Sequence, residues 1–229
     1  MIIIDLLYNL SVLIALTVLS GFITIRFKHT KLQSKILQGL LFGGTAIIGM
    51  MNPFILTEGI IFDGRSIVIS LCTLFFGPVS GIIAAIAAII YRLQIGGGGS
   101  TMGLLVITSS FLIGFLYYRR WTKPGINTIN TVQLYLFGLL VHIAMIILIL
   151  FLPSKYVSET YEIVALTVIG FYPIATVLIG KILLDREESQ EYLNKIAENE
   201  KLYRTTLYSI GDAVITTYPD SNIRHMNPV

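Results

Sequence analysis

Six long stretches without a charged residue constrain this chain more than any other feature. A helix needs about 20 apolar residues to cross the hydrocarbon core of a bilayer. Charged residues make up only 13% of the chain and the mean hydropathy is +0.80, whereas soluble domains carry about 25% charged residues. The sequence therefore predicts an all-α polytopic membrane bundle in contact with lipid. The uncharged stretches are residues 6–25, 36–57, 66–91, 93–118, 126–154 and 163–180.

Gly77-Pro78 interrupts the third of these stretches. Proline lacks an N–H and clashes with the preceding turn of a helix. Two shorter helices, about 59–76 and 79–93, joined by a tight turn therefore fit as well as one long helix. The first reading gives seven spans and the second gives six.

Charged loops favour seven spans, because cytoplasmic loops are rich in lysine and arginine. Seven spans put both cationic loops on the cytoplasmic side, whereas six put them on opposite sides. The N-terminus is then outside, the C-terminus is cytoplasmic, and loops 52–62, 94–103 and 153–161 face outward. The prediction is a multi-pass protein of the inner (plasma) membrane. The two loops contain Arg26, Lys28, Lys31 and Lys35, and Arg119, Arg120 and Lys123.

After Lys181 the chain becomes rich in charge and in helix formers. Apolar residues recur there at alternating intervals of three and four, with one polar exception, as in the seam of a coiled coil. The segment fits a single solvated helix, or a parallel stalk through which two copies form a homodimer. The seam positions are Leu193, Ile196, Glu200, Tyr203, Leu207 and Ile210.

The last segment reads as a β-hairpin. Residues 213–217 are β-prone, residues 218–222 are a turn cluster, and residues 223–226 fit a returning strand. We therefore divide the chain into a transmembrane domain (1–184), a helical linker (185–205) and the start of a further domain (206–229).

Two arginines bound the third uncharged stretch and form the strongest candidate site. Arg65 opens the stretch and Arg92 closes it, and a cation near lipid is costly enough to indicate function. A hairpin at Gly77-Pro78 would bring both to the outer face. Two converging guanidinium groups suit a small carboxylate, because arginine binds planar anions bidentately. In the alternative reading the arginines extend to the interface and Arg65 pairs with Asp63.

A glycine run that includes Gly97 and Gly98 follows Arg92 and precedes a predicted helix. Glycines let backbone amides approach an anion at a helix N-terminus, although a flexible outer loop is an equal interpretation. Asn52 and Glu58, in the facing loop, could line or gate a pocket. His142 reads as a packing residue. The sequence predicts no nucleotide, metal, cofactor or nucleic-acid binding, and no catalytic residue.

Several motifs together resemble the 5TM receptor domain of the LytS-YhcK type, over about residues 30–185. The resemblance implies a bacterial membrane sensor at the N-terminus of a histidine kinase or diguanylate cyclase. Some members are associated with small carboxylates such as pyruvate. The family name counts five helices, fewer than the number predicted above. The motifs are Asn52-Pro53, Phe62-Asp63-x-Arg65, Phe75-Phe76-Gly77-Pro78, Tyr91-Arg92 and the run Gly96–Gly99.

Two further resemblances bear on function. Residues 202–228, with Ser209-Ile210-Gly211-Asp212 and Asn227-Pro228, resemble the first part of a PAS domain, which implies an incomplete α/β unit. Gly77-Pro78-x-x-Gly81 is more distantly similar to substrate-binding subunits of energy-coupling-factor transporters. The main hypothesis is the input module of a two-component receptor that senses an extracellular carboxylate and signals through the linker. The alternative is a solute transporter or transporter subunit.

Overall fold

The computed structural model describes the chain except residues 1, 28–30, 58–59, 122–128, 210–213, 221 and 227–229. The undescribed residues include Lys28, Glu58, Lys123 and, within the PAS-like segment 202–228, residues 210–213, 221, 227 and 228. The chain divides into two compact units, Met1–Leu184 and Asp185–Val229. The helices are α1 (Ile2–Arg26), α2 (Leu32–Met51), α3 (Arg65–Ile95), α4 (Ser100–Trp121), α5 (Thr131–Ile147), a 3-10 turn (Leu148–Phe151) and α6 (Ser154–Ser209). The strands are β1 (Phe54–Thr57), β2 (Ile60–Phe62), β3 (Ile215–Thr217) and β4 (Ile223–Met226).

Helix α3 is a hairpin of two arms, residues 65–76 and 78–95. Gly77 between them has φ 82° and ψ −178°, a region that essentially only glycine adopts. Pro78 begins the second arm, where its missing N–H costs no hydrogen bond. A Cβ on Gly81 would fall 2.9 Å from the Cβ of Thr73, although eight residues of straight helix span about 12 Å. The predicted Gly-Pro turn is confirmed.

Small residues let α2 approach the second arm of α3 closely. A Cβ on Gly43 would lie 3.0 Å from the Cβ of Ala87 and 3.2 Å from the Cα of Ala84. Close backbone contact of this kind holds helices together in lipid, where burial of apolar groups supplies little driving force. Phe42 and Phe76 add an edge-to-face pair, with ring centroids 5.3 Å apart.

Helix α4 runs back along the hairpin. Near the start of α4, a Cβ on Gly103 would lie 2.5 Å from Arg92 Nε. Near its end, the ring of Tyr118 packs against the turn at Gly77. The bundle therefore has an Arg65 end and a Gly77 end. Ser80 donates to the Lys35 carbonyl (2.8 Å), so the start of α2 lies at the Gly77 end.

Strands β1 and β2 form an antiparallel hairpin. Ile60 and Phe62 are buried in a cluster with residues of α4, α5 and α6. The expected helix from about residue 59 is wrong, since helix α3 begins at Arg65. The predicted loop 153–161 is also wrong, because α6 begins at Ser154.

Among the described residues, five helices are long and apolar enough to cross a membrane. The Ser11–Arg26 part of α1 is a shorter apolar segment. Many large apolar side chains on these helices are exposed, as in a surface that faces lipid. This is a multi-pass helical membrane protein. The count of five takes both arms of the α3 hairpin as one long helix. The choice between six and seven spans therefore stays a prediction.

The second unit contains the last part of α6 and the two terminal strands. Glu191–Lys195 and Glu200–Arg204 form ion pairs along the helix surface at 2.6 and 3.1 Å. Strands β3 and β4 pair antiparallel, and Tyr218 N–H donates to the Asn222 carbonyl across the turn (2.8 Å). The predicted terminal hairpin is confirmed.

Candidate ligand-binding site

Asp63 and Arg65 form a buried ion pair where β2 leads into α3. Arg65 Nη1 lies 3.2 Å from Asp63 Oδ2, and Arg65 N–H donates to Asp63 Oδ1 (2.9 Å). The second bond satisfies one of the amides that a helix start leaves unpaired. Arg65 Nη2 reaches the Ile61 carbonyl only at 3.4 Å. The pair thus anchors the first turn of α3 beneath the β1–β2 hairpin.

The ion pair is not fully aligned. Asp63 Oδ2 and Arg65 Nη1 are buried without a hydrogen bond among the described residues, although their separation is that of an ion pair. A guanidinium group has five N–H donors in a rigid planar fork. Arg65 is buried and therefore has N–H groups that could donate further hydrogen bonds away from bulk solvent.

Arg92 lies at the same end of the α3 hairpin. Its side chain is fully buried, and Nη1 donates to the Gly96 carbonyl (2.7 Å). Gly103 of α4 makes room for it, since a Cβ there would overlap the guanidinium group. The hairpin thus places at one end two arginines that are far apart in sequence.

The three charged side chains are almost inaccessible, with exposed fractions of 2% for Asp63, 4% for Arg65 and 0% for Arg92. Burial raises the pKa of Asp63, while Arg65, its backbone N–H and Arg92 act in the opposite direction. The sequence allowed Arg65 and Arg92 to extend to the membrane interface. In the structure both are enclosed within the bundle.

The other predicted site residues lie apart from this cluster. Asn52 is exposed, and its amide donates to the Tyr8 hydroxyl of α1 (3.2 Å). Gly97 and Gly98 are exposed. Gly97 has φ 85°, and its carbonyl accepts from Ser100 N–H at the start of α4 (3.1 Å). Within the glycine run, Gly96 contacts the cluster, through its carbonyl oxygen.

A second buried polar group adjoins Arg65. Ser66 Oγ lies 3.3 Å from His142 Nε2 of α5, and His142 Nδ1 lies 2.6 Å from the Gly138 carbonyl. Tyr172 of α6 packs edge-to-face on His142, with ring centroids 5.2 Å apart. The sequence reading of His142 as a packing residue did not include these partners, because a contact over 76 residues leaves no local pattern.

A protein-family model matches most of the chain. The family model described as 5TMR of 5TMR-LYT matches residues 19–186. Neither the curated proteins nor the solved structures include a match to the chain. The matched region covers every residue of the charged cluster and of the adjoining polar group.

Proposed function

This chain belongs to the 5TMR-LYT family and is a membrane sensory input module, and we propose that it senses a small carboxylate outside the cell. The observation that carries the proposal is the pair of buried arginines, Arg65 and Arg92, at one end of the α3 hairpin. Burying two like charges close together is unfavourable. An anion between them would relieve their repulsion and use the planar donor forks of both.

The ligand is expected to be a small monocarboxylate such as pyruvate. Arg65 would bind one edge of its carboxylate group through the donors that Asp63 leaves unaligned. Arg92 would approach from the second arm, held by Gly96. Asp63 would orient Arg65, and the β1–β2 hairpin would exclude water, which strengthens the ionic contacts.

The proposed orientation puts the Arg65 end outside. Arg119 and Arg120 follow Tyr118, which lies at the Gly77 turn, and Lys35 lies at the same end. The excess of cations at that end supports a cytoplasmic location. Gly180 approaches Leu71 and Leu134 as α6 continues toward the Gly77 end, so the chain would leave the bundle on the cytoplasmic side.

We further propose that the second unit relays the signal as a homodimer to a PAS domain and a histidine kinase output. Leu193, Ile196 and Tyr203 are exposed on the helix, and the terminal hairpin fits the resemblance to a PAS start. Leu207, which the spacing placed in the same seam, is buried in the single chain. The dimer seam would therefore run along the earlier part of the linker.

Titration calorimetry with pyruvate on the detergent-solubilised protein tests the ligand proposal. Arg65→Gln and Arg92→Gln should each weaken binding at least about tenfold, because hydrogen bonds to charged groups contribute about 1.5–3 kcal/mol. Arg120→Gln is the matched control, since Arg120 is exposed at the opposite end, and it should bind like the unaltered protein.

Unchanged affinity in both site variants would refute the assignment of the arginines. Proteoliposomes containing the protein test the transporter alternative. Accumulation of labelled pyruvate that follows the binding affinity would replace the sensor role with transport.

A further inference from the structure

The bond between Ser66 and His142 joins the start of α3 to α5. The Gly138 carbonyl can only accept a hydrogen bond, so His142 Nδ1 carries the proton in this contact. Nε2 of the neutral ring is then an acceptor, and the Ser66 hydroxyl donates to it. Ser66 and His142 are both fully buried. Because Ser66 follows Arg65 directly, a shift of the first turn of α3 would act on this bond.

Tyr172 joins the same group to α6. Its ring lies nearly perpendicular to that of His142, at an interplanar angle of 85°. Tyr172 thus contacts α5 through its ring, and through His142 and Ser66 it is joined to the residue next to Arg65. It links the charged cluster to α6 by a route that does not involve the glycine run.

A proline interrupts the backbone hydrogen bonds of α6 next to this contact. Pro173 lies inside the helix and removes one backbone hydrogen bond, which is a common origin of kinks. Gly138 allows close approach of α5 at this point, since a Cβ there would lie 3.2 Å from Pro173 Cα and 2.9 Å from Thr176 Cβ. A small change at Tyr172 therefore falls beside a proline, where helices commonly bend.

We infer that Ser66, His142 and Tyr172 couple occupancy of the Arg65–Arg92 site to helix α6. Pairing of Arg65 with the carboxylate of the ligand would draw the Arg65 side chain, with Asp63 still paired to it, toward the ligand and shift the first turn of α3. Ser66 would carry that shift to His142, and the His142–Tyr172 ring contact would pass it to α6 beside Pro173. The three residues are positioning residues and do not contact the ligand. This inference rests on the proposed function.

The test separates binding from the response of α6. Ser189 is exposed on α6, so a Ser189→Cys substitution in a Cys72→Ala background gives one reactive thiol in the full chain. The rate of maleimide modification is measured with and without pyruvate. We expect pyruvate to change the rate about twofold or more, since a ligand shifts populations by its differential affinity. Ser66→Ala and Tyr172→Leu should abolish that change while keeping pyruvate affinity within about threefold.

Tyr135→Leu, which removes an exposed tyrosine of α5, is the matched control and should keep both binding and response. Retention of the rate change in Ser66→Ala and Tyr172→Leu would overturn the coupling route. Loss of binding in these variants would also overturn it, because the residues would then belong to the binding site. Binding to the unaltered protein without a rate change refutes the coupling alone, whereas no binding refutes the proposed ligand and the coupling with it.

Discussion

Asp63→Ala is expected to lower the free energy of unfolding of the bundle by about 3–5 kcal/mol. Removing one partner of a buried ion pair leaves the other charge uncompensated in a low-dielectric environment. Arg65 would then be buried, at the same end of the hairpin as Arg92, without the carboxylate that lies 3.2 Å from its Nη1. The loss is measured by equilibrium unfolding of the purified protein in mixed micelles.

Two further variants show whether charge is the cause. Asp63→Asn keeps an oxygen that can accept from Arg65 N–H and removes only the charge. The double variant Asp63→Ala with Arg65→Met removes both charges, and replacing a whole buried pair by apolar groups is often neutral. The double variant should recover most of the stability that Asp63→Ala loses. If the double variant is as unstable as Asp63→Ala, the unpaired charge of Arg65 is not the cause of the lost stability.

Gly43→Leu is expected to destabilise the bundle by about 1–3 kcal/mol, as overpacking of a filled interior does. The new side chain would enter the contact between α2 and the second arm of α3, where Ala87 Cβ lies only 3.0 Å from the position of a Cβ. The arms of the hairpin carry Arg65 and Arg92, so a displaced second arm should also weaken pyruvate binding. Thermal unfolding in detergent and calorimetry measure the two effects.

Gly44→Leu is the matched control, because nothing lies within 4 Å of a Cβ at that position. Both substitutions give the helix the same change in intrinsic propensity, so their difference isolates the packing contact. Gly44→Leu should not destabilise the bundle, because the position is open and leucine favours a helix more than glycine does. Equal effects of the two substitutions would contradict the close packing of α2 on α3.

The sequence predicted the parts of the fold that depend on local chemistry. Uncharged length identified the membrane helices, and Gly77-Pro78 identified the turn. That turn implied that Arg65 and Arg92 lie at one end, as the structure has them. The β-prone residues on either side of the Tyr218-Pro219 turn identified the terminal hairpin. Each of these features has a short-range physical cause that can be recognised in one segment.

The features that the sequence missed depend on contacts between distant segments. Residues 54–62 are nearly as apolar as the helix that follows, so their pairing as strands was not visible from composition. The partners of Arg65 are Asp63 and the Ile61 carbonyl, at the end of a strand that the sequence did not indicate, and a lone arginine near lipid is equally compatible with the interface. The partners of His142 come from α3 and α6, and no spacing within α5 indicates them.

The central claim is that a carboxylate binds between Arg65 and Arg92. Solid-state NMR on the protein in lipid bilayers, with carboxylate-labelled ¹³C pyruvate and ¹⁵N-labelled arginine, measures this contact directly. We predict dipolar dephasing of the carboxylate carbon by guanidinium nitrogens, reduced in Arg65→Gln and in Arg92→Gln and unchanged in Arg120→Gln. Bound pyruvate whose carboxylate shows no dephasing, or equal dephasing in all three variants, would contradict the claim.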